Sequence, residues 1–410
     1  MSLTVGSLRG TASLDRLCQS LLFFLALTLP LARIPFPSSN SVLPGQDLQL
    51  FDLIACLSAV TAILCFMFRP NFRHLVPLLY PIALAVSASV SENPGQSVIP
   101  LAKAIYLSGL ACLVQVFLDR SPQKGHRWLR WGWLAGLTLT CFCIILGVIG
   151  FYSGCSTQQT NIFLFHYGSI KAGHFPRVCA TFFNANLLCN YLLVSLAWLK
   201  SVRARALVAL CSLATLSPGL GPLFLLFLWD FKSRPSRIAG TVIALTMYLL
   251  TWTYPNDLFQ GHFRASGRVE CWRQSTNLWL QSPLLGQGPG QALVLVRWQA
   301  PDGAIGTLTD PHNTSLSLLS QGGVLLMAVV MTVFLTNRAN CDRELFKAIL
   351  LAFWLDGLTG SFEDARHIWV AIGALCLFPA AAGSEVGHNC QKYVCPLPSR
   401  LNPPVRSTTI

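Results

Sequence analysis

Residues 206–230 read ALVALCSLATLSPGLGPLFLLFLWD, and the way this stretch meets a bilayer decides the architecture of the chain. It is long enough to cross once, since about 20 apolar residues cover the hydrocarbon core. Its middle, however, is Ser217-Pro218-Gly219-Leu220-Gly221-Pro222. Prolines and glycines at this density break a continuous helix, because proline lacks the N–H donor and clashes with the preceding turn. Both flanks are basic: Lys200, Arg203 and Arg205 precede it, and Lys232, Arg234 and Arg237 follow. Basic loops stay on the cytoplasmic side, so 206–230 is expected to go in and come back as a broken pair of short helices. Irregular backbone at membrane depth must be covered by protein or line a cavity. The turn is therefore expected inside the bundle.

On either side lie apolar runs near 17–34, 50–68, 74–91, 98–118, 128–151, 180–199, 238–253, 313–335, 345–360 and 367–382. With the N-terminus inside, alternating assignment of the connections leaves eight of the 29 lysines and arginines outside. These are Arg33, Lys171, Arg177, Arg264, Arg268, Arg273, Arg297 and Arg366. Lys103 falls within a span and is expected to snorkel. The expected fold is all-α: a polytopic membrane protein of about 12 transmembrane helices, the broken pair counted as two. A single transmembrane domain covers 1–383, with long periplasmic loops at 152–179 and 254–312. Residues 384–410, Pro-rich and polar, form a cytoplasmic tail expected to be disordered, so both termini are cytoplasmic.

Composition agrees. The 410 residues are 53% hydrophobic and only 11% charged, against about 25% charged in soluble domains. That excludes an ordinary cytosolic enzyme, a disordered chain and a secreted disulfide scaffold. The net charge of +13 reads as contact with anionic membrane lipid, not nucleic acid. Most cysteines, such as Cys141 and Cys143, sit in apolar runs as small hydrophobes, and no Cys-x-x-Cys pair suggests zinc or redox chemistry.

Seven of the eight outer cations are arginines, the side chain suited to a bidentate grip on phosphate, so the set suggests an anionic substrate at the outer face. In the second long loop, Ser266 is placed to cap a helix running to about Gln281, stopped by Pro283. Val269, Trp272, Thr276, Trp279 and Leu280 would form its interfacial apolar face. Arg268 falls in the first turn, against the helix dipole, a cost that a bound anion offsets. No strand precedes Gly286-Gln287-Gly288-Pro289-Gly290, which argues against a dinucleotide-binding loop.

The loop ends Asp310-Pro311-His312-Asn313-Thr314. Asp310 as N-cap and Pro311 as first helical residue would put His312 in the first turn of a span. A neutral imidazole there can accept a proton as a general base; otherwise it is an interfacial histidine bonded to a loop carbonyl. Asn184 and Asn186, early in a membrane helix, need partners. In Glu363-Asp364-Ala365-Arg366-His367, the acids are expected to pair with arginines, since adjacent carboxylates do not easily converge on one ion. Asp47 stands alone in the first outer loop, so no metal is expected.

In this order, the segments resemble the bacterial O-antigen ligase and O-antigen polymerase family from about Arg177 to Trp369. The resemblance rests on Arg-x-x-x-Thr-Phe-x-Asn-x-Asn (177–186), Gly-Arg-x-x-x-Trp (267–272), Ser-Pro-Leu-Leu-Gly-x-Gly (282–288), Pro-His-Asn-Thr (311–314) with Gly322-Gly323, and Glu-Asp-x-Arg-x-x-Trp (363–369). One position departs: Pro218 stands where the family commonly has arginine.

The resemblance implies an inverting, metal-independent glycosyltransferase of the bacterial inner membrane, without a cofactor. Its donor would be a glycan on undecaprenyl diphosphate, and its acceptor the lipopolysaccharide core (lipid A-core) or another glycan. Arg177 and Arg268 would bind the diphosphate and His312 would be the base. Arg264, Asn313, Asn184, Arg366 and Glu363 are further substrate-binding candidates. Polymerisation of the same glycan, or transfer to protein, uses related chemistry. A bicarbonate or small-anion transporter is the alternative of another class, but it would place its charges near the midplane.

Overall fold

The structure, a computed structural model, describes residues 4–31, 49–65, 75–153, 176–182, 184–229, 233–253, 265–291, 294–299, 305–308, 310–338 and 342–375. Expectations for Arg33, Asp47, Lys171, Arg264 and the 384–410 tail lie outside these residues, as does much of the first long loop.

The apolar runs become helices: α1 (Thr4–Thr28), α2 (Leu50–Leu64), α3 (Leu79–Ser89), α4 (Val98–Arg120), α5 (Pro122–Tyr152) and α6 (Ala185–Ser195). The 94–120, 122–152 and 314–336 segments are long and apolar enough to cross a membrane, whereas 50–64, 76–89, 185–198 and 220–229 are shorter apolar helices. The chain is thus mostly helical and carries the signature of a membrane protein.

The 206–230 stretch does break. It forms α7 (Val202–Leu213) and α8 (Leu220–Trp229), with α9 (Arg234–Thr253) turning back along α8. Thr215, Ser217, Pro218 and Gly219 in the turn are buried. Leu216 takes a positive φ of 43° to make the bend.

Small residues let helices approach closely. On α5, a Cβ at Gly132 would lie 2.1 Å from the Phe23 carbonyl oxygen of α1, and one at Gly136 3.0 Å from that of Leu27. This is the small-xxx-small seam of membrane helices. Beside it, an aromatic column runs through the core. Trp198 packs on Trp133, Trp133 stacks on Tyr191 at 5.6 Å, and Tyr191 meets both Phe182 and His367. Trp133 is fully buried, and its indole N–H donates to Ser195 Oγ at 2.8 Å.

The second outer loop holds α10 (Ala265–Gln281) and a two-stranded antiparallel ribbon, β1 (Val296–Gln299) with β2 (Ile305–Leu308). The ribbon amends the all-helical expectation. Val269 and Leu280 of α10 are exposed, as an interfacial face requires. Trp272 is not part of that face: it packs with Cys271, Val294 and Val296.

Next come α11 (Thr314–Arg338), α12 (Arg343–Leu350), a π-helical and 3-10 continuation to Leu358, and α13 (Arg366–Leu375). Helix α11 is interrupted at Gly323, whose φ of 62° and ψ of −160° suit glycine alone. The segment after α10 fills the break. Val324 and Leu325 N–H donate to the Pro283 and Leu284 carbonyls, while Gln287 and Gly288 N–H donate to those of Ser320 and Gln321. The Ser-Pro-Leu-Leu-Gly-x-Gly run is therefore a clamp on a broken helix, and four backbone groups freed by the kink are satisfied by it.

Candidate active site

Helix α11 starts at Thr314, not at Pro311. Asn313 is its cap, its Oδ1 accepting from Leu316 N–H at 3.0 Å, so the expectation for Asp310 is corrected. His312 lies outside the helix with φ 50°. Asp310 makes that conformation possible: its Oδ1 accepts from His312 N–H at 2.8 Å and from the Ser361 hydroxyl. An aspartate bonding its own backbone two residues on is a turn-former, which explains why the chain bends here rather than coiling early. Thr314 N–H donates to the Gly360 carbonyl, and Phe362 N–H donates to Thr314 Oγ1, each at 3.0 Å. The histidine segment is thereby stitched to the turn before α13.

The imidazole is about two-thirds covered, and its Nδ1 is 4.0 Å from Asp310 Oδ2, beyond hydrogen-bond reach. Burial lowers the His312 pKa; Asp310 raises it and Arg268 lowers it further, with the net shift downward. A neutral imidazole results, fit to accept a proton.

Arg268 sits in the first turn of α10, as expected. Burial and the like charge of Arg177 push it down to about 10, opposed by Asp356. Half-buried Arg177 is also pushed down by burial. Its Nη2 donates to Asn186 Oδ1 at 2.8 Å, and its Nε to the Thr215 carbonyl at 3.4 Å. Asn186 Oδ1 also accepts from Ser217 Oγ, so the broken turn of 206–230 braces the arginine's partner. Asn184 caps α6, accepting from Leu187 N–H at 2.7 Å. Both asparagines have the partners their positions required.

A cavity of about 360 Å³ opens beside these groups, lined among others by His312, Asp310, Asn184, Asn186, Phe182 and Arg366. Arg177, Arg268, Asn313 and Glu363 are not among its lining residues. Glu363 is buried against α11 and accepts from the Ser317 hydroxyl; burial, then Asp364 and Asp310, raise its pKa. Among the described residues, the acids of the 363–367 turn form no ion pair with an arginine. Asp364 pairs with half-exposed Lys103, and Arg366 pairs with Asp52 at 3.1 Å. Among the described residues, no cluster of histidine, cysteine and acids is arranged to hold a metal ion.

Two residues of the site's support, Asp356 and Asn190, went unread in the sequence. Asp356 faces the 217–219 turn, where a Cβ on Gly219 would fall 2.9 Å from its carboxylate oxygens. Asn190 donates to Asp356 Oδ2 at 2.7 Å and to the Ala352 carbonyl at 2.8 Å, and its Oδ1 contacts His367 Nε2 at 2.8 Å. The visible signal was an aspartate inside an apolar span, which in a membrane usually marks a functional or bracing position.

Fold and site together describe a helical membrane protein with His312 on the wall of a cavity and two half-buried arginines, Arg177 and Arg268, outside its lining. The O-antigen ligase family model matches residues 188–331, a stretch that holds Arg268 and His312. The resemblance read from the motifs is thus supported over that stretch. No curated protein matches the chain.

Proposed function

We propose that the protein transfers a glycan from undecaprenyl diphosphate to an acceptor at the periplasmic face of the bacterial inner membrane, with ligation to lipid A-core as its reaction. The observation that carries this reading is the presence of two half-buried arginines, Arg177 and Arg268, near enough that the charge of Arg177 lowers the Arg268 pKa. Like charges out of water are costly unless an anion joins them, and a diphosphate supplies that anion with geometry matched to arginine forks. His312 takes the proton of the acceptor hydroxyl as its oxygen attacks the anomeric carbon. The bond to the diphosphate breaks on the opposite side, inverting the anomer, and the carrier leaves with its charge held by the arginines. No metal is needed in this scheme. Asn184 and Arg366 line the cavity, which supports a role for them in contacting the incoming sugars, while Arg264 remains a candidate from sequence alone.

Single-turnover transfer from a purified lipid-linked glycan, with donor binding measured separately, tests the scheme. His312→Gln should lower transfer by about two to four orders of magnitude, the usual worth of acid–base catalysis, with donor affinity little changed. Arg177→Ala and Arg268→Ala should weaken donor binding, with lysine restoring only part of it. Wild-type donor binding in both alanine variants would remove the diphosphate assignment. Near-normal transfer by His312→Gln would remove the base.

A further inference from the structure

A second cavity, of about 710 Å³, lies where three inter-helix connections meet: α4–α5, α6–α7 and α11–α12. Its size is within the range of roughly 300–1,000 Å³ typical of small-molecule sites. The wall carries Arg127, Arg130, Lys200 and Arg205, with Asp342 and Glu344 as the only acids among its lining residues. Each acid offsets part of the charge of Arg205, and each also has a local partner. Asp342 caps α12 through Glu344 and Leu345 N–H, and Glu344 pairs with Lys347 at 2.8 Å. Arg130 and Arg205 are each anchored through Nε, at 2.9 Å, to the carbonyls of Trp198 and Leu199. This fixes two guanidinium groups in place at the end of the α6 segment. Arg127 and Lys200 are exposed and have no ion-pair partner among the described residues.

Two observations point to a ligand rather than a solvated charge cluster. Trp198 is 7% exposed and lines the cavity, and its Nε1–H is buried without an acceptor. An indole N–H can only donate, and a buried donor calls for an acceptor. The wall, in turn, carries Trp131, 56% exposed on α5. Exposed indoles of this kind sit at headgroup level in a bilayer. All three connections were assigned to the cytoplasmic side by their charge, the side on which basic pockets between helices take acidic lipid headgroups.

We infer that this cavity binds the headgroup of an anionic glycerophospholipid. The phosphodiester lies among Arg127, Arg130 and Lys200 and accepts from Trp198 Nε1–H, while the acyl chains run along Trp131 and Leu134. The site is separate from the candidate active site and does not depend on the glycosyl-transfer reading.

The test uses the full chain purified in an uncharged detergent and titrated with short-chain phosphatidylglycerol, short-chain phosphatidylcholine or inorganic phosphate, following the thermal midpoint. Phosphatidylglycerol should raise the midpoint saturably, and the other two should not. The double variant Arg127→Gln, Lys200→Gln should bind about thirtyfold more weakly, from roughly 1 kcal/mol per basic residue near an anionic surface. Trp198→Phe keeps an aromatic ring but loses the donor, and should weaken binding severalfold, read as a smaller ligand-induced shift from its own, lower, unliganded midpoint. If the double variant fails to fold, the Phe variant and the salt dependence of the wild type carry the test. A wild type indifferent to phosphatidylglycerol, equal affinity in every variant, or an equal shift with inorganic phosphate overturns the inference.

Discussion

Asp310 divides its labour between two oxygens. Oδ1 holds the His312 backbone at φ 50°, and Oδ2 faces the imidazole at 4.0 Å as a charge rather than as a hydrogen-bond partner. A base works only while unprotonated, so transfer should fall as pH drops through the His312 pKa. Burial and Arg268 lower that pKa and Asp310 raises it, so the acidic limb should lie below the ordinary histidine value of 6.5. Asp310→Asn keeps an acceptor for His312 N–H but removes the charge, and should move the limb to lower pH. Arg268→Gln should move it upward in whatever rate remains. A pH profile of kcat/KM for the three proteins checks this, and a limb unmoved in both variants would count against His312. His312, Arg177 and the two asparagines are legible in the sequence because each is a polar residue at the edge of an apolar run, and Arg268 because it falls in the first turn of a capped loop helix. The Asp52 partner of Arg366 is not, since it comes from the far end of the chain and only folding brings the two together.

At the scale of elements, the break in α11 couples the segments that carry Arg268 and His312. Helix α10 bears Arg268 and runs directly into the clamp at 283–288, while α11 begins just after His312. A Cβ at Gly323 would lie 2.3 Å from the Leu284 carbonyl carbon and oxygen. Gly323→Ala should therefore destabilise by at least about 2 kcal/mol, combining a glycine-only conformation with a backbone clash. Gly109 of α4 is the control: nothing lies within 4 Å of its Cβ position, and Gly109→Ala should stabilise by up to about 1 kcal/mol through helix propensity. Thermal unfolding in detergent compares them, and a Gly323 variant no worse than its control would refute the clamp. The sequence showed Gly322-Gly323 and the 282–288 motif as separate signals. Their pairing was hidden, because hydropathy reports which segments are apolar and not which backbone groups lack partners.

For the whole molecule, apolar runs and turn residues made most helices readable, including the division of 206–230, because both are local properties. The β1–β2 ribbon and the buried carboxylate at Asp356 depend on contacts between distant segments, which no local pattern encodes. The crossing direction of the α7–α8 pair is open to experiment. Cysteines placed at 200–205 and at 233–237, with accessible native cysteines replaced, should both react from the cytoplasmic side; labelling of either from outside intact cells would exclude the returning hairpin. The seam of Gly132 and Gly136 against Phe23 and Leu27 bears on how the protein is made. Helix α1 leaves the ribosome about a hundred residues ahead of the groove that receives it, roughly five to twenty seconds at bacterial elongation rates. During that interval the N-terminal helix waits for α5, so the seam closes only after α2, α3 and α4 have been made, with more than half of the chain still to follow.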